Sequence, residues 1–130
     1  MALIPSPKAA LASFGPQRQT VNLALNGTTG TVTLPASFVL LRVGASVQGR
    51  FRLYRDAASR DADFNRALGQ DLEAAHGLLL ETVHTSTRLD LPLSPLVAGA
   101  ALVKGDPYAW AWDGAPGASL SFDLLTLENA

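Results

Sequence analysis

The chain contains no cysteine among its 130 residues. This absence excludes disulfide bonds, thiolate zinc sites and cysteine nucleophiles together, and it leaves the redox compartment open. Histidine is almost as scarce, because His76 and His84 are the only two. A metal site or a general base would need them to converge with further ligands or with a substrate pocket. His76 is expected in a loop and His84 near the end of a strand, so we do not expect them to form such a site. We predict no catalytic residue, no bound metal and no cofactor.

Charged side chains are also few. They make up 16% of the chain, against the ~25% usual for soluble domains, while hydrophobic residues make up 48%. The 10 Lys and Arg nearly match the 11 Asp and Glu, so the net charge of -1 creates no field that would attract nucleic acid or an anionic membrane. A chain with this balance either hides part of its surface against neighbouring subunits or relies on Ser, Thr and Ala for solubility, and we favour burial in an assembly.

Long apolar runs and familiar catalytic motifs are missing as well. No apolar stretch approaches the ~20 residues of a membrane-spanning helix, and residues 1–8 lack the charged start and unbroken apolar core of a signal peptide. No serine lies in a Gly-x-Ser-x-Gly elbow, and the chain has neither a phosphate-binding loop nor a dinucleotide glycine pattern. The sequence predicts a soluble protein that is not an enzyme.

What the chain does contain is a series of short segments in which apolar and polar residues alternate, separated by turn residues. The segments predicted as strands are residues 20–25, 31–34, 38–43, 48–54, 77–84, 89–93, 100–104, 108–112 and 119–127. Residues 26–30 are interpreted as the turn of a hairpin between the first two. Segment 38–43 is apolar at consecutive positions, which predicts a central strand covered on both faces. The pattern predicts a mainly β protein, an antiparallel β-sandwich of about eight strands.

A single segment follows the helical period instead. Asp56 can cap a helix because its carboxylate can accept the free amide hydrogens of the first turn. We expect this helix to span about residues 57–68. Phe64 and Leu68 are four positions apart and are expected to face the sheet, whereas the charged residues of the helix are expected to face water. Those charged residues are Arg60, Asp61, Asp63 and Arg66.

The N-terminal part of the chain differs from the rest. Three prolines and a glycine surround the short apolar piece 9–14 within residues 1–18. Such a segment suits an extended N-terminal arm, of the kind that often pairs with a neighbouring subunit, or a frayed chain end. Residues 19–130 are then the β-sandwich domain.

Two groups of side chains are candidate contact residues. Arg50 and Arg52 alternate with apolar residues, so they are expected on an outward strand face. There they form either the solvated side of the sandwich or a contact for an acidic neighbour, a phosphate or a sugar. Tyr108, Trp110 and Trp112 share one face of their strand, with alanines on the other. Such aromatics either fill a core or subunit contact, or stack on sugar rings.

Three runs together carry a resemblance to a known group of proteins. Residues 50–63, 77–81 and 89–95 combine an Arg-Leu-Tyr strand, a helix with Ala and Asp, and a later Leu-Ser-Pro turn. In this they resemble a small β-sandwich domain of tailed-bacteriophage virion proteins, often tail- or baseplate-associated, and the similarity spans about residues 38–127.

The resemblance implies a structural subunit with no catalytic residues. Such a subunit is made in the host cytoplasm and located in the virion, in the tail, baseplate, neck or capsid decoration. Its partners are other virion proteins and copies of itself. The alternative is a carbohydrate-binding module that adheres to host glycan through the aromatic face of strand 108–112.

Overall fold

The computed structural model describes residues 17–72, 76–100 and 105–128, which form eight strands and one helix. The strands are β1 Gln17–Leu25, β2 Thr29–Val32, β3 Ser37–Ala45, β4 Gly49–Tyr54, β5 Leu78–His84, β6 Asp90–Ala100, β7 Tyr108–Gly114 and β8 Ala118–Glu128, and helix α1 is Ala57–Asp63. Four strands in the order β1-β8-β3-β6 form sheet A, and four in the order β2-β7-β4-β5 form sheet B. All pairs are antiparallel, which confirms the predicted mainly β sandwich with one short helix.

The inward side chains of both sheets meet in one core. Directly paired residues of antiparallel strands point to the same face, so Phe51 and Leu53 of β4 lie beside Trp112 and Trp110 of β7. Phe51 is fully buried, and its ring centroid lies 5.6 Å from that of Phe122 in sheet A. The core therefore joins the two sheets through large apolar side chains.

The prediction that the first two strands form a hairpin is wrong. β1 pairs with β8, and β2 pairs with β7 in the other sheet, so residues 26–28 carry the chain across the sandwich. Leu25 and Val32 both reach the core, but they reach it from opposite sheets. An alternating pattern around a turn fits either connection, because each strand needs only one buried face.

Helix α1 begins as predicted but is shorter and turned the other way. The Asp56 carboxylate accepts the Ser59 amide hydrogen at 2.7 Å, which confirms the N-cap. The helix ends at Asp63 rather than at residue 68. Phe64 and Leu68, expected on the sheet, are 39% and 60% exposed, whereas Asp63 is buried.

Within the described residues, no helix has the length and apolar character needed to cross a membrane.

Two predicted boundaries also change. Gln17 and Arg18, assigned to the N-terminal arm, form the first residues of β1 and pair with Thr126 and Leu125. Residues 1–16 of that arm lie outside the described residues. The strands predicted over 89–93 and 100–104 are represented by the single strand β6, and residues 101–104 are likewise outside the described part of the chain.

Candidate functional site

Arg50 and Arg52 point outward from sheet B, as predicted, but they are not solvated. Arg50 pairs with Val83 and Arg52 with Glu81 of β5, and all four side chains lie on the outer face of the sheet. Helix α1 packs over β4 and β7 on that face. The two arginines are consequently only 9% and 4% exposed, so the expectation of a solvated arginine face is wrong.

Arg52 holds the C-terminal end of α1. It donates from Nη1 to the Asp63 carbonyl oxygen at 3.1 Å and from Nη2 to the Phe64 carbonyl oxygen at 3.2 Å. The end of a helix leaves such carbonyl groups without intrahelical donors, and a cation is favourable there. The guanidinium carbon also lies 5.7 Å from the centroid of the Phe64 ring. The helix is therefore docked on a buried charge, which explains why its polar side faces the sheet.

Acidic side chains pair with the arginines of this region. Arg66 donates to Asp63 at 2.9 Å and to Glu81 at 3.0 Å, and Arg50 donates to Glu81 at 2.5 Å. Tyr54 donates to the second oxygen of Asp63 at 2.6 Å. We call these five residues together with Arg52 the charge cluster. Its hydrogen bonds connect α1 and the turn after it to β4 and β5, so it fastens parts of one chain together.

The pKa values of the cluster agree with this role. Burial by itself would raise the pKa of Asp63, but the hydrogen bonds from Arg66 and Tyr54 outweigh it and hold that pKa below its ordinary value. Burial, followed by the bond to Asp63, raises the pKa of Tyr54 to about 12. Asp63 thus stays ionised and Tyr54 stays protonated near neutral pH. Sequence reasoning missed Asp63, Arg66 and Glu81 as members, although two arginines on one strand face before a charged helix are a signal for such a cluster.

The three aromatic residues of β7 lie in the core. Tyr108, Trp110 and Trp112 are 1%, 4% and 3% exposed. The indole nitrogen of Trp110 donates to the Thr31 carbonyl oxygen at 3.3 Å, and that of Trp112 donates to the Ala115 carbonyl oxygen at 3.1 Å. The interpretation of this strand face as core is confirmed. A sugar ring would find no exposed aromatic face on β7 to stack against.

His84 is a buried, hydrogen-bonded residue of β5. Its Nδ1 lies 2.8 Å from the Leu89 carbonyl oxygen and its Nε2 lies 2.8 Å from the Thr82 hydroxyl. A carbonyl can only accept, so Nδ1 carries the proton and Nε2 accepts from Thr82. His84 borders an open groove of about 760 Å³ at the turn end of the sandwich, where Arg50 and Asp113 also lie. Within residues 17–72, 76–100 and 105–128, no three metal-ligating side chains are grouped.

We expect the stability of the protein to fall as the pH drops through the range in which His84 titrates. Burial lowers the pKa of His84 below its ordinary value, so the unfolded chain binds this proton more readily than the folded one. The contribution is then fully present above about pH 6.5 and is lost in acid, with a slope of at most about 1.4 kcal/mol per pH unit for one proton.

Urea unfolding between pH 8 and pH 5 measures this slope. The variant His84→Gln should have a flatter profile than the unmodified chain. His76→Gln is the matched control, because His76 is exposed and only accepts a hydrogen bond from the Leu78 amide. If His84→Gln retains the full slope, the acid sensitivity belongs to other groups.

The outer face of sheet A contrasts with that of sheet B because part of it is apolar and exposed. Val39 of β3 pairs with Leu125 on one side and Ala98 on the other, so the three side chains form a row on this outer face. Leu96 and Leu127 lie two positions from Ala98 and Leu125 on the same strands, at points where the strand register shifts, and each is 54% exposed. We call these five residues the apolar half-face. The prediction that β3 is covered on both faces is thus not met within the described residues.

The neighbouring part of the outer face of sheet A carries charged and polar side chains that pair with one another. Asp123 accepts hydrogen bonds from Thr20 at 2.8 Å, Arg18 at 3.1 Å and Arg42 at 3.3 Å. Arg42 also pairs with Asp90. The bonds from Thr20 and Arg18 hold the pKa of Asp123 below its ordinary value. Two arginines and two aspartates therefore neutralise each other, which leaves the apolar half-face as the part of this surface that would gain from being covered.

Comparisons with known proteins add no relative to this description. A scan against protein-family models finds no match. Searches among curated proteins and among solved structures find no significant match either.

Proposed function

We propose that the chain is a non-enzymatic structural subunit of a tailed-phage virion and that it acts by packing against neighbouring subunits. The observation that carries the packing function is the apolar half-face on sheet A. Two of its leucines are each 54% exposed, although burial contributes about 25 cal/mol for each Å² of apolar surface removed from water. Contiguous exposed apolar surface usually marks an interaction site.

The charge distribution supports the same function. The net charge is -1. On the outer faces of the two sheets, Asp90, Asp123 and Glu81 are paired with arginines of the same chain. Copies of such a subunit do not repel one another, and they present little charge for steering a soluble ligand. These are suitable properties for close packing of many copies. The resemblance of residues 38–127 to phage virion domains supports the choice of assembly.

Particle labelling tests the proposal. We expect antibodies against the chain to label tailed particles that are purified from the strain encoding it, with the label concentrated in the tail, baseplate, neck or capsid. Peptide mass spectrometry of the same gradient fractions should detect the chain at a fixed ratio to other virion proteins. A chain that stays in the soluble fraction while complete particles lack it would refute the proposal.

A further inference from the structure

We infer that the apolar half-face of each copy is covered by residues 1–16 of a neighbouring copy. This inference rests on the proposed assembly of many copies and names the contact that joins them. The partner is thus a second copy of this chain, and its binding segment is the part that precedes β1.

The position of β1 brings that segment to the correct end of the face. The described chain starts at Gln17, which pairs with Thr126, next to the exposed Leu127 of the apolar half-face. Sixteen residues in extended form reach about 50 Å at about 3.3 Å per residue, whereas a sheet of four strands is only about 15 Å wide. The segment is long enough to leave its own sheet and to cross the face of an adjacent copy.

The chemistry of residues 1–16 matches an apolar partner. Among their larger side chains are Leu3, Ile4, Leu11 and Phe14, and Lys8 is the only charged side chain. Three prolines occur in the same segment. Prolines lack the amide hydrogen that a β-ladder requires, so this segment suits contact through side chains across the outer face better than addition to a sheet edge.

The proposed assembly favours a neighbouring copy over the same chain. If residues 1–16 covered the half-face of their own sheet, the apolar surface on which the proposed packing depends would be hidden within each copy. Coverage by a neighbouring copy instead uses that surface to join two subunits.

Disulfide trapping can test the contact, because a chain without cysteine acquires thiols only where they are introduced. One isotopically labelled full-length sample carries Phe14→Cys, and an unlabelled sample carries Leu96→Cys. After mixing and mild oxidation, mass spectrometry should detect the mixed disulfide between labelled and unlabelled chains. The matched control is Val83→Cys, since Val83 is 42% exposed on the outer face of sheet B. We expect at least tenfold faster linkage to Leu96→Cys than to the control.

A second variant separates the possible outcomes. If the double variant Phe14→Cys/Leu96→Cys links only within one chain, or if linkage to Leu96→Cys is no faster than to Val83→Cys, the inference is overturned. Light scattering on the unmodified chain is measured in parallel. Multimers or labelled particles without the link would retain the proposed function and reject only this contact. Particles that lack the chain would reject the proposed function itself.

Full-length Leu96→Asp and Leu127→Asp variants provide an independent measurement. Both leucines are exposed, so the substitutions leave the core intact. We expect either aspartate to shift the multimer toward monomer by at least tenfold in concentration, because it places an unpaired charge in an apolar contact. An unchanged multimer in both variants would contradict the inference.

Discussion

Phe51→Ala is expected to lower the free energy of unfolding by about 3–5 kcal/mol, a large part of the roughly 5–15 kcal/mol of a typical domain. Phe51 is fully buried on the central strand β4, and its ring contacts that of Phe122 from the opposite sheet. Removing the ring forfeits its burial and leaves a cavity between two sheets that are each constrained by hydrogen bonding. The two sheets cannot both move inward to fill that space.

Urea unfolding followed by tryptophan fluorescence measures this loss, because Trp110 and Trp112 both lie in the same core. Val83→Ala is the control, since Val83 lies on the neighbouring strand β5 but is 42% exposed. It should change the free energy of unfolding by roughly 0.5 kcal/mol or less. A Phe51→Ala chain that loses less than about 1 kcal/mol would show that the two sheets are not held together by this contact.

The strands could be predicted from alternation, but their connections could not. β4 and β7 follow the predicted segments closely because every second residue is apolar and reaches the core. The turn at 26–28 joins strands of different sheets, a distinction that is absent from the local pattern. Whether a strand pairs with its successor depends on long-range contacts, such as the pairing of β1 with the last strand of the described chain.

The orientation of α1 could not be read from its own period. Phe64 and Leu68 have the spacing of a buried stripe, yet they lie exposed beyond the end of the helix. The outer face of β4 determines how the helix is oriented, because Arg52 lies there and binds the carbonyl groups at the helix end. The sequence of a helix alone does not reveal that its polar side docks on buried charges of a neighbouring strand.

The candidate site was predictable in part. Consecutive apolar residues in β3 predicted a strand covered on both faces, and Val39 is one of the apolar side chains on its outer face. Leu96 and Leu127 could not be placed beside Val39, because the sequence does not reveal that β6 and β8 flank β3 in one sheet. The contact surface arises from strand order, which only the tertiary structure establishes.

Asp63→Ala is expected to lower the free energy of unfolding by about 3–5 kcal/mol, because breaking a buried ion pair leaves its partners uncompensated. The substitution removes the acceptor for Tyr54 at 2.6 Å and for Arg66 at 2.9 Å, and it leaves Arg52 without the carboxylate at 4.0 Å. Asp63 is only 9% exposed, so water does not readily replace these bonds.

Asp61→Ala is the matched control for this prediction. Asp61 lies on the same helix, and its side chain is 67% exposed while it pairs with Arg60. Exposed ion pairs contribute about 0–1 kcal/mol, so the control should remain close to the unmodified protein. Hydrogen exchange should then show faster exchange of the α1 amides in Asp63→Ala than in Asp61→Ala. Equal losses from the two substitutions would mean that the charge cluster does not fasten the helix.

The pH dependence supplies a further measurement on the same variant. The pKa of Asp63 lies below its ordinary value in the folded chain, so the unfolded chain takes up this proton first as the pH falls. The stabilisation by Asp63 is therefore complete above about pH 4–5 and is lost as the pH falls through the lowered pKa. The stability difference between the unmodified chain and Asp63→Ala should shrink in acid, whereas the Asp61→Ala difference should stay small at every pH. A difference that is independent of pH would show that Asp63 stabilises the fold by packing alone and that its charge is dispensable.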